Sequence, residues 1–204
     1  MSDITLNDDE LDCLQELMNI SYGAATSAVA KIINQFATLN IPCIKTATSS
    51  EFKDYFDEKF SHGVDYYVSS QPIDGNLCGE NMFIMDEEST KNLALEFGLD
   101  ESEINDDELK DVILEITNII SATTTSKLAS LIDATVTFSP PSVKKVHSTD
   151  NLEDRYETKY QHVIIISTDL NFQDQHIYGE LILMSKDESI LYLKDALNKL
   201  LEEF

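Results

Sequence analysis

Two carboxylate–carboxamide pairs stand at matching places in the sequence: Glu16 with Asn19, and Glu115 with Asn118. The members of each pair stand three positions apart, so on a helix both side chains address one object. Glycoside hydrolysis wants two carboxylates, and nucleophilic hydrolysis wants Ser or Cys beside a base. A carboxamide does something gentler. It can hold a water in line with a phosphoryl group, because phosphoryl transfer depends mainly on positioning and charge stabilisation. The carboxylate beside it can grip a cation on a partner. That division of labour suits a protein that completes another protein's active site.

One such pair alone is ordinary decoration of an exposed helix. The surroundings say more. The first pair lies in "LQELMNISYGAA" (14–25), the second in "LEITNIISATTT" (114–125). On a helical wheel with Leu11 at zero, the apolar stripe falls between roughly −60° and +40°. Asn19, Asp12, Gly23 and Glu16 then occupy one strip at about 80° to 140°. Gly23 adds no side chain, so a foreign surface can approach closely, and Ala122 keeps that opening small in the second copy. A glycine inside a helix costs about 1 kcal/mol against alanine, which asks for a reason.

The pairs belong to a duplication. Asp12, Glu16, Asn19 and Pro42 recur 99 residues later as Asp111, Glu115, Asn118 and Pro141. "GENMFIMDEES" (79–89) recurs as "GELILMSKDES" (179–189) at an offset of 100. A unit near one hundred residues is too long for a solenoid repeat and suits a duplicated half-domain. Duplication alone would preserve a structural pattern equally well.

The elements that must position the pairs follow one order in each half. A long helix is predicted over roughly 8–37 and again over 106–135. "LNDDE" supplies an Asn or Asp N-cap, with acids in the first turn. Leu11, Leu14, Met18, Ala25, Val29, Ile32 and Phe36 recur at spacings of three and four. Extended segments follow: "IPCIKTATSS" and "PSVKKVHST", then "VDYYVSSQPI" and "HVIIISTDL", then the buried-looking "GENMFIM" and "GELILM". Shorter helices close the halves at about 87–97 and 187–203. The inserts "EFKDYFDEKFSHG" and "DNLEDRYETKY" read as a surface helix or hairpin, their aromatics as packing. The fold class is α/β: an internally duplicated pseudo-twofold domain, with two long helices and shorter helices packed on a shared mixed β-sheet. Residues 1–204 are expected to form one domain of two repeats, about 8–98 and 106–204.

Composition narrows the partners. The chain has 204 residues and a net charge of −24, which opposes binding to nucleic acid or anionic lipid. No apolar run suits a membrane span, and "MSDITLNDDELD" does not read as a secretory signal, so a cytoplasmic protein is expected. Cys13, Cys43 and Cys78 form no CxxC pair. His62, His147, His162 and His176 lack metal-ligand spacing, so no cofactor or metal is expected on this chain.

The twofold pattern Asp-x3-Glu-x2-Asn-x22-Pro, with "ELDCLQELMNISYGAATSAVAKII" (10–33), resembles the signature of the CheC family of chemotaxis phosphatases. The likeness runs through the repeated "GE" strands to the final helix. It implies a protein aspartyl-phosphate phosphatase acting on a CheY-type response regulator in bacterial or archaeal chemotaxis. Glu16 and Glu115 would then salt-bridge a regulator lysine, while Asn19 and Asn118 orient the attacking water. Mg2+ would belong to the regulator. Pro42 and Pro141 would be structural, ending the helical section. A bare double repeat looks most like the two-site CheC branch, rather than the single-site CheX proteins or FliY with its added segments. The resemblance also implies a CheD deamidase as a further partner, with 187–203 as its candidate contact. The second site departs from the first: Leu114 replaces Gln15, and Ile119 and Ile120 follow Asn118, which gives a more apolar rim. The alternative function is a non-catalytic or weakly catalytic binding module for CheD or a receiver domain. A structural piece of the flagellar switch is a third reading.

Overall fold

The computed structural model describes residues 5–33, 38–39, 43–48, 51, 54–55, 60, 63–147, 162–172 and 176–202. The first half contains α1 (Asp8–Ile33), β1 (Thr38–Leu39), β2 (Cys43–Thr48), β3 (Asp65–Gly75), β4 (Gly79–Asp86) and α2 (Glu87–Glu96). The second repeats the order with α3 (Asp106–Leu131), β5 (Val136–Phe138), β6 (Ser142–His147), β7 (His162–Phe172), β8 (Ile177–Ser185) and α4 (Asp187–Glu202).

Each long helix begins where an Asn can satisfy its first free N–H groups. Before α1, the Asn7 side chain accepts from the Glu10 N–H at 2.9 Å, and Glu10 accepts from the Asn7 N–H at 2.8 Å. This reciprocal box occupies two donors that the helix leaves unpaired. Asn105 does the same work before α3, accepting from the N–H groups of Asp107 and Glu108. At the other end, Asp133 adopts φ +58° and the Ala134 N–H returns to the Ala129 carbonyl at 2.8 Å. That left-handed residue closes α3.

The strands form one eight-stranded sheet in which all the described pairings are antiparallel. Its order is β1-β7-β8-β4-β3-β5, with β2 also on β7 and β6 also on β3. The repeats therefore exchange strands. Cys43 on β2 pairs with Ser167 on β7, and Ser142 on β6 pairs with Ser70 on β3. Cys43 and Ser142 are repeat equivalents, so the two exchanges mirror each other. The central strands β4 and β8 are buried on both faces, as their unbroken apolar runs require. Gly79 explains the repeated "GE". At φ +156° its α-carbon lies against β8, and a Cβ there would collide with the Met184 carbonyl oxygen.

The helices α1 to α4 share one face. Their apolar residues form a single core with the sheet, including Leu14, Met18, Leu93, Ile113, Ile116, Leu181 and Leu193. Leu14 and Met18 are fully buried, and each such side chain contributes about 1.5–3 kcal/mol. The opposite face carries a smaller cluster of Val68, Met82, Ile84, Ile165, Ile182 and Met184 with Ala47 and Phe60. On that side Ser70 donates to Glu80, and Tyr55 donates to Glu180. The repeated glutamates are thus buried strand residues with hydroxyl donors.

Several boundaries differ from the sequence reading. α3 stops at Leu131, and residues 132–135 form the turn into β5 instead of helix. Pro141 does not end a helical section: it lies between β5 and β6, where the chain steps off the edge of β3 and rejoins it. The sheet expected to be mixed is antiparallel in its described pairings, because the parallel crossovers that mixing requires are replaced by hairpins and by exchange. Ile32, placed in the apolar stripe, is half exposed, and Tyr22 takes a buried place in α1 that the stripe had not included. In the first insert, Glu51 and Asp54–Tyr55 are helical. Pro42, Phe36, the ends of the predicted helices at 34–37 and 203, and the second insert lie outside the described residues.

Candidate functional site on the long helices

The geometry of each long helix follows from its buried side. Leu14, Met18 and Ala25 face the core from α1, and Ile113, Ile116 and Ile120 face it from α3. The 3.6-residue turn then leaves the other flank to solvent. Asp12, Glu16, Asn19 and Gly23 are all exposed, as are Asp111, Glu115 and Asn118, while Ala122 is half buried. A Cβ built on Gly23 meets nothing within 4 Å. The fold itself therefore does not require the glycine. Each helix presents a carboxylate, a carboxamide one turn on, and a small residue one turn further.

The apolar rim is distributed differently from the expectation. Ile120 is buried completely, and Leu114 and Ile119 are half buried. The isoleucine that stands out beside a carboxamide is Ile20, 42% exposed, next to Asn19. Its repeat equivalent Ile119 packs against the core instead.

What lies beneath the two carboxamides also differs. Under α3 runs a polar seam. Ser69 and Thr117 are hydrogen-bonded at 2.5 Å, and Asn81 donates to Thr125 at 2.9 Å. Between these, Gln71 Nε2 donates to Asn118 Oδ1 at 3.2 Å. Ser69 and Gln71 lie on the helix-facing side of β3, with Tyr67 and Ile73. The equivalent places in the other half are apolar or short: Ile166 for Ser69, Thr168 for Gln71 and Leu181 for Asn81, as the β3–β4 and β7–β8 registers show. Gln71 is a residue that the search for chemistry along the sequence missed. Its signal was present as a glutamine on the apolar side of an alternating strand.

A second polar group fixes the start of α3. Lys145 on β6 reaches Glu87 at 2.8 Å, Asp65 at 3.5 Å and Asp106 at 3.8 Å. Its ammonium stands 5.4 Å from the centre of the Tyr67 ring, and the Tyr67 hydroxyl donates to Asp106 at 2.8 Å. Hydrogen bonds from Lys110 and then Tyr67 hold the Asp106 carboxyl below the usual range. Lys145, then Lys91, does so for Glu87. The bond to Glu87 pushes Lys145 upward. These ties join β3, β6, α2 and α3, and so set the axial position of the second strip.

Among the described residues no group of three or more His, Cys, Asp or Glu could hold a metal ion. Cys13, Cys43 and Cys78 are free thiols. Among the described residues, no helix is long and apolar enough to cross a membrane.

The family model described as chemotaxis phosphatase CheX matches residues 67–167. The CheY-P phosphatase CheC of Bacillus subtilis is 28% identical over 148 residues, covering 69% of this chain and 67% of that one. The chain is thus similar to the CheX family over residues 67–167 and to CheC over a longer stretch. The match to CheX runs from β3 into β7 and so contains α3 with Glu115 and Asn118, together with Gln71. Solved structures agree on the fold. The X-ray structure of Thermotoga maritima FliY superposes with a TM-score of 0.75 at 18% identity, covering 96% of this chain and 98% of that one. The CheX–CheY–BeF3–Mg2+ complex from Borrelia burgdorferi gives 0.53 at 15% identity, covering 84% and 97%. The fold likeness thus extends beyond the 67–167 match to nearly the whole chain.

Proposed function

We propose that this chain is a protein aspartyl-phosphate phosphatase for a CheY-type response regulator, working through two sites. The observation that carries the reading is the exposure, on both long helices, of a Glu–Asn strip beside a small residue. A relative named as a CheY-P phosphatase supports it. In each encounter Glu16 or Glu115 pairs with a cation on the regulator. Asn19 or Asn118 enters the phosphorylated pocket. The carboxamide oxygen accepts a hydrogen bond from a water and holds it in line with the phosphorus. As the water oxygen bonds to phosphorus, the bond to the aspartyl oxygen breaks, and the regulator keeps its carboxylate. Inorganic phosphate leaves. The protein's contribution is position, which is what this reaction chiefly requires.

Magnesium in this scheme belongs to the regulator, where it neutralises phosphoryl charge. A solved CheX structure is a complex with CheY, BeF3 and Mg2+, which supports that placement. The high negative charge of the present chain favours a partner surface bearing Lys or Arg.

Phosphate release from phosphorylated CheY tests the reading. Asn19→Ala and Asn118→Ala should each slow turnover, and the double variant should abolish it while still binding the regulator. A double variant as fast as the parent would overturn the assignment. Binding without phosphate release in either protein would instead support a sequestering module.

A further inference from the structure

We infer that Gln71 is a positioning residue for the Asn118 carboxamide, so that the second site is pre-organised by a contact the first site lacks. This rests on the proposed role of Asn118 and adds a residue from the other sequence repeat to that site.

Gln71 is 1% exposed and its Nε2 donates to Asn118 Oδ1. A carboxamide has a twofold choice: its oxygen and nitrogen can exchange places by rotation about the last side-chain bond. Only the oxygen can accept from a glutamine N–H. The Gln71 bond therefore selects one orientation and fixes the plane of the Asn118 amide. A carbonyl oxygen has two lone pairs. Gln71 uses one, which leaves the other for a water hydrogen.

Among the described residues, buried Gln71 Oε1 has no hydrogen-bond partner. An orphaned acceptor inside a fold is expensive, and a hydrophobic residue of the same length would avoid it. The sequence instead keeps an amide whose donor end reaches an exposed residue. A purely structural need is poorly served by that choice.

The counterpart position shows the asymmetry. Gln71 pairs with Asn81 and Thr168 with Leu181, and Asn81 and Leu181 are repeat equivalents. Thr168 carries its hydroxyl closer to the backbone than a glutamine amide would stand. Among the described residues the Asn19 carboxamide has no hydrogen-bond partner. Asn19 must be ordered by the encounter itself, whereas Asn118 is ordered beforehand, and ordering in advance lowers the barrier by avoiding lost side-chain freedom.

The test uses the full chain and Gln71→Met, which keeps length and removes the donor. In an Asn19→Ala background, where only the second site turns over, Gln71→Met should lower kcat about 3- to 10-fold, the effect of one net hydrogen bond, with KM unchanged. In an Asn118→Ala background it should leave kcat as it was. Equal losses in both backgrounds would mean general destabilisation and would overturn the inference. An activity-free readout stands beside this one. The side-chain NH2 of Asn118 should be rigid by 15N relaxation in the parent and mobile in Gln71→Met, with the Asn19 NH2 mobile in both. Unchanged Asn118 dynamics would overturn the positioning role even if the chain hydrolyses phosphate. If the parent released no phosphate, the functional reading would fail, and loss of Asn118 order would still establish the contact.

Discussion

Met82 and Ile182 are Cα partners across the β4–β8 ladder, and they are also repeat equivalents, one hundred residues apart. A position that pairs with its own duplicate marks a pseudo-twofold axis normal to the sheet. The axis keeps everything on one face on that face. It places α1 and α3 side by side over the same core, and gives each an exposed flank bearing the Glu–Asn strip.

That equivalence makes the carboxamide substitutions a paired test. Asn19→Ala is a surface change and should leave thermal stability within the scatter of repeat scans, whereas Asn118→Ala strands the buried Gln71 donor and should cost about 1–3 kcal/mol. Each should lower kcat at its own site, about 100-fold if the water is displaced by an ångström. Single-turnover phosphate release with each variant alone measures the two contributions separately, and the Gln71 bond gives Asn118 the larger share.

The carboxylates should act on binding more than on turnover. Glu16 and Glu115 are exposed, so each pairing with a regulator cation is screened by solvent and salt. Glu16→Gln and Glu115→Gln should each raise KM about 2- to 5-fold at its site and leave kcat nearly intact. The double Gln variant should also flatten the dependence of kcat/KM on sodium chloride. An unaltered salt slope would place the docking cation elsewhere.

Gly23 separates fold from function. Nothing lies within 4 Å of a Cβ at that position, so Gly23→Ala should stabilise α1 by about 1 kcal/mol, measured by urea unfolding. Gly23→Arg should fold as well as the parent and yet raise KM at the first site, because it fills the strip that a partner must approach. Parental kinetics in the Arg variant would remove the close approach from the scheme.

Acid should loosen the Lys145 cluster. The carboxyls of Asp65, Glu87 and Asp106 are held below their usual range by hydrogen bonds from His147, Lys145 and Lys110 respectively. A lowered folded value adds stability that is full above the unfolded value, about pH 4, and is lost as pH falls through the folded value. The raised Lys145 keeps its own contribution below its ordinary value and loses it only in strong base. Lys145→Met should therefore lower Tm by about 2–4 °C at pH 7, since these groups are substantially exposed. The difference should shrink as the pH is brought below about 3. A gap that persists there would mean that lost packing on Tyr67, and not charge, explains the variant.

Much of this protein was legible in the amino-acid order. The duplication, the two long helices and their capping, the buried "GE" strands and the exposed strips follow from local rules: spacing of apolar residues, an Asn before acids, a glycine that no strand neighbour tolerates replacing. Those rules act within a few residues and need no knowledge of partners across the fold. Where the long helix stops was less legible, because α3 ends at a left-handed Asp133 and no Gly or Pro marks the place. Strand exchange was not legible at all. Equivalence between the halves does not say which strand runs beneath which long helix. In the folded chain β6 pairs with β3, α3 lies over β3, and Gln71 of the first half reaches Asn118 of the second. Sequence identity between the halves fixes which residues are equivalent, whereas contact depends on which surfaces bury each other. Each half has strands whose edges need partners and helices whose apolar flanks need a sheet, and the lowest free energy comes from satisfying both with the other half.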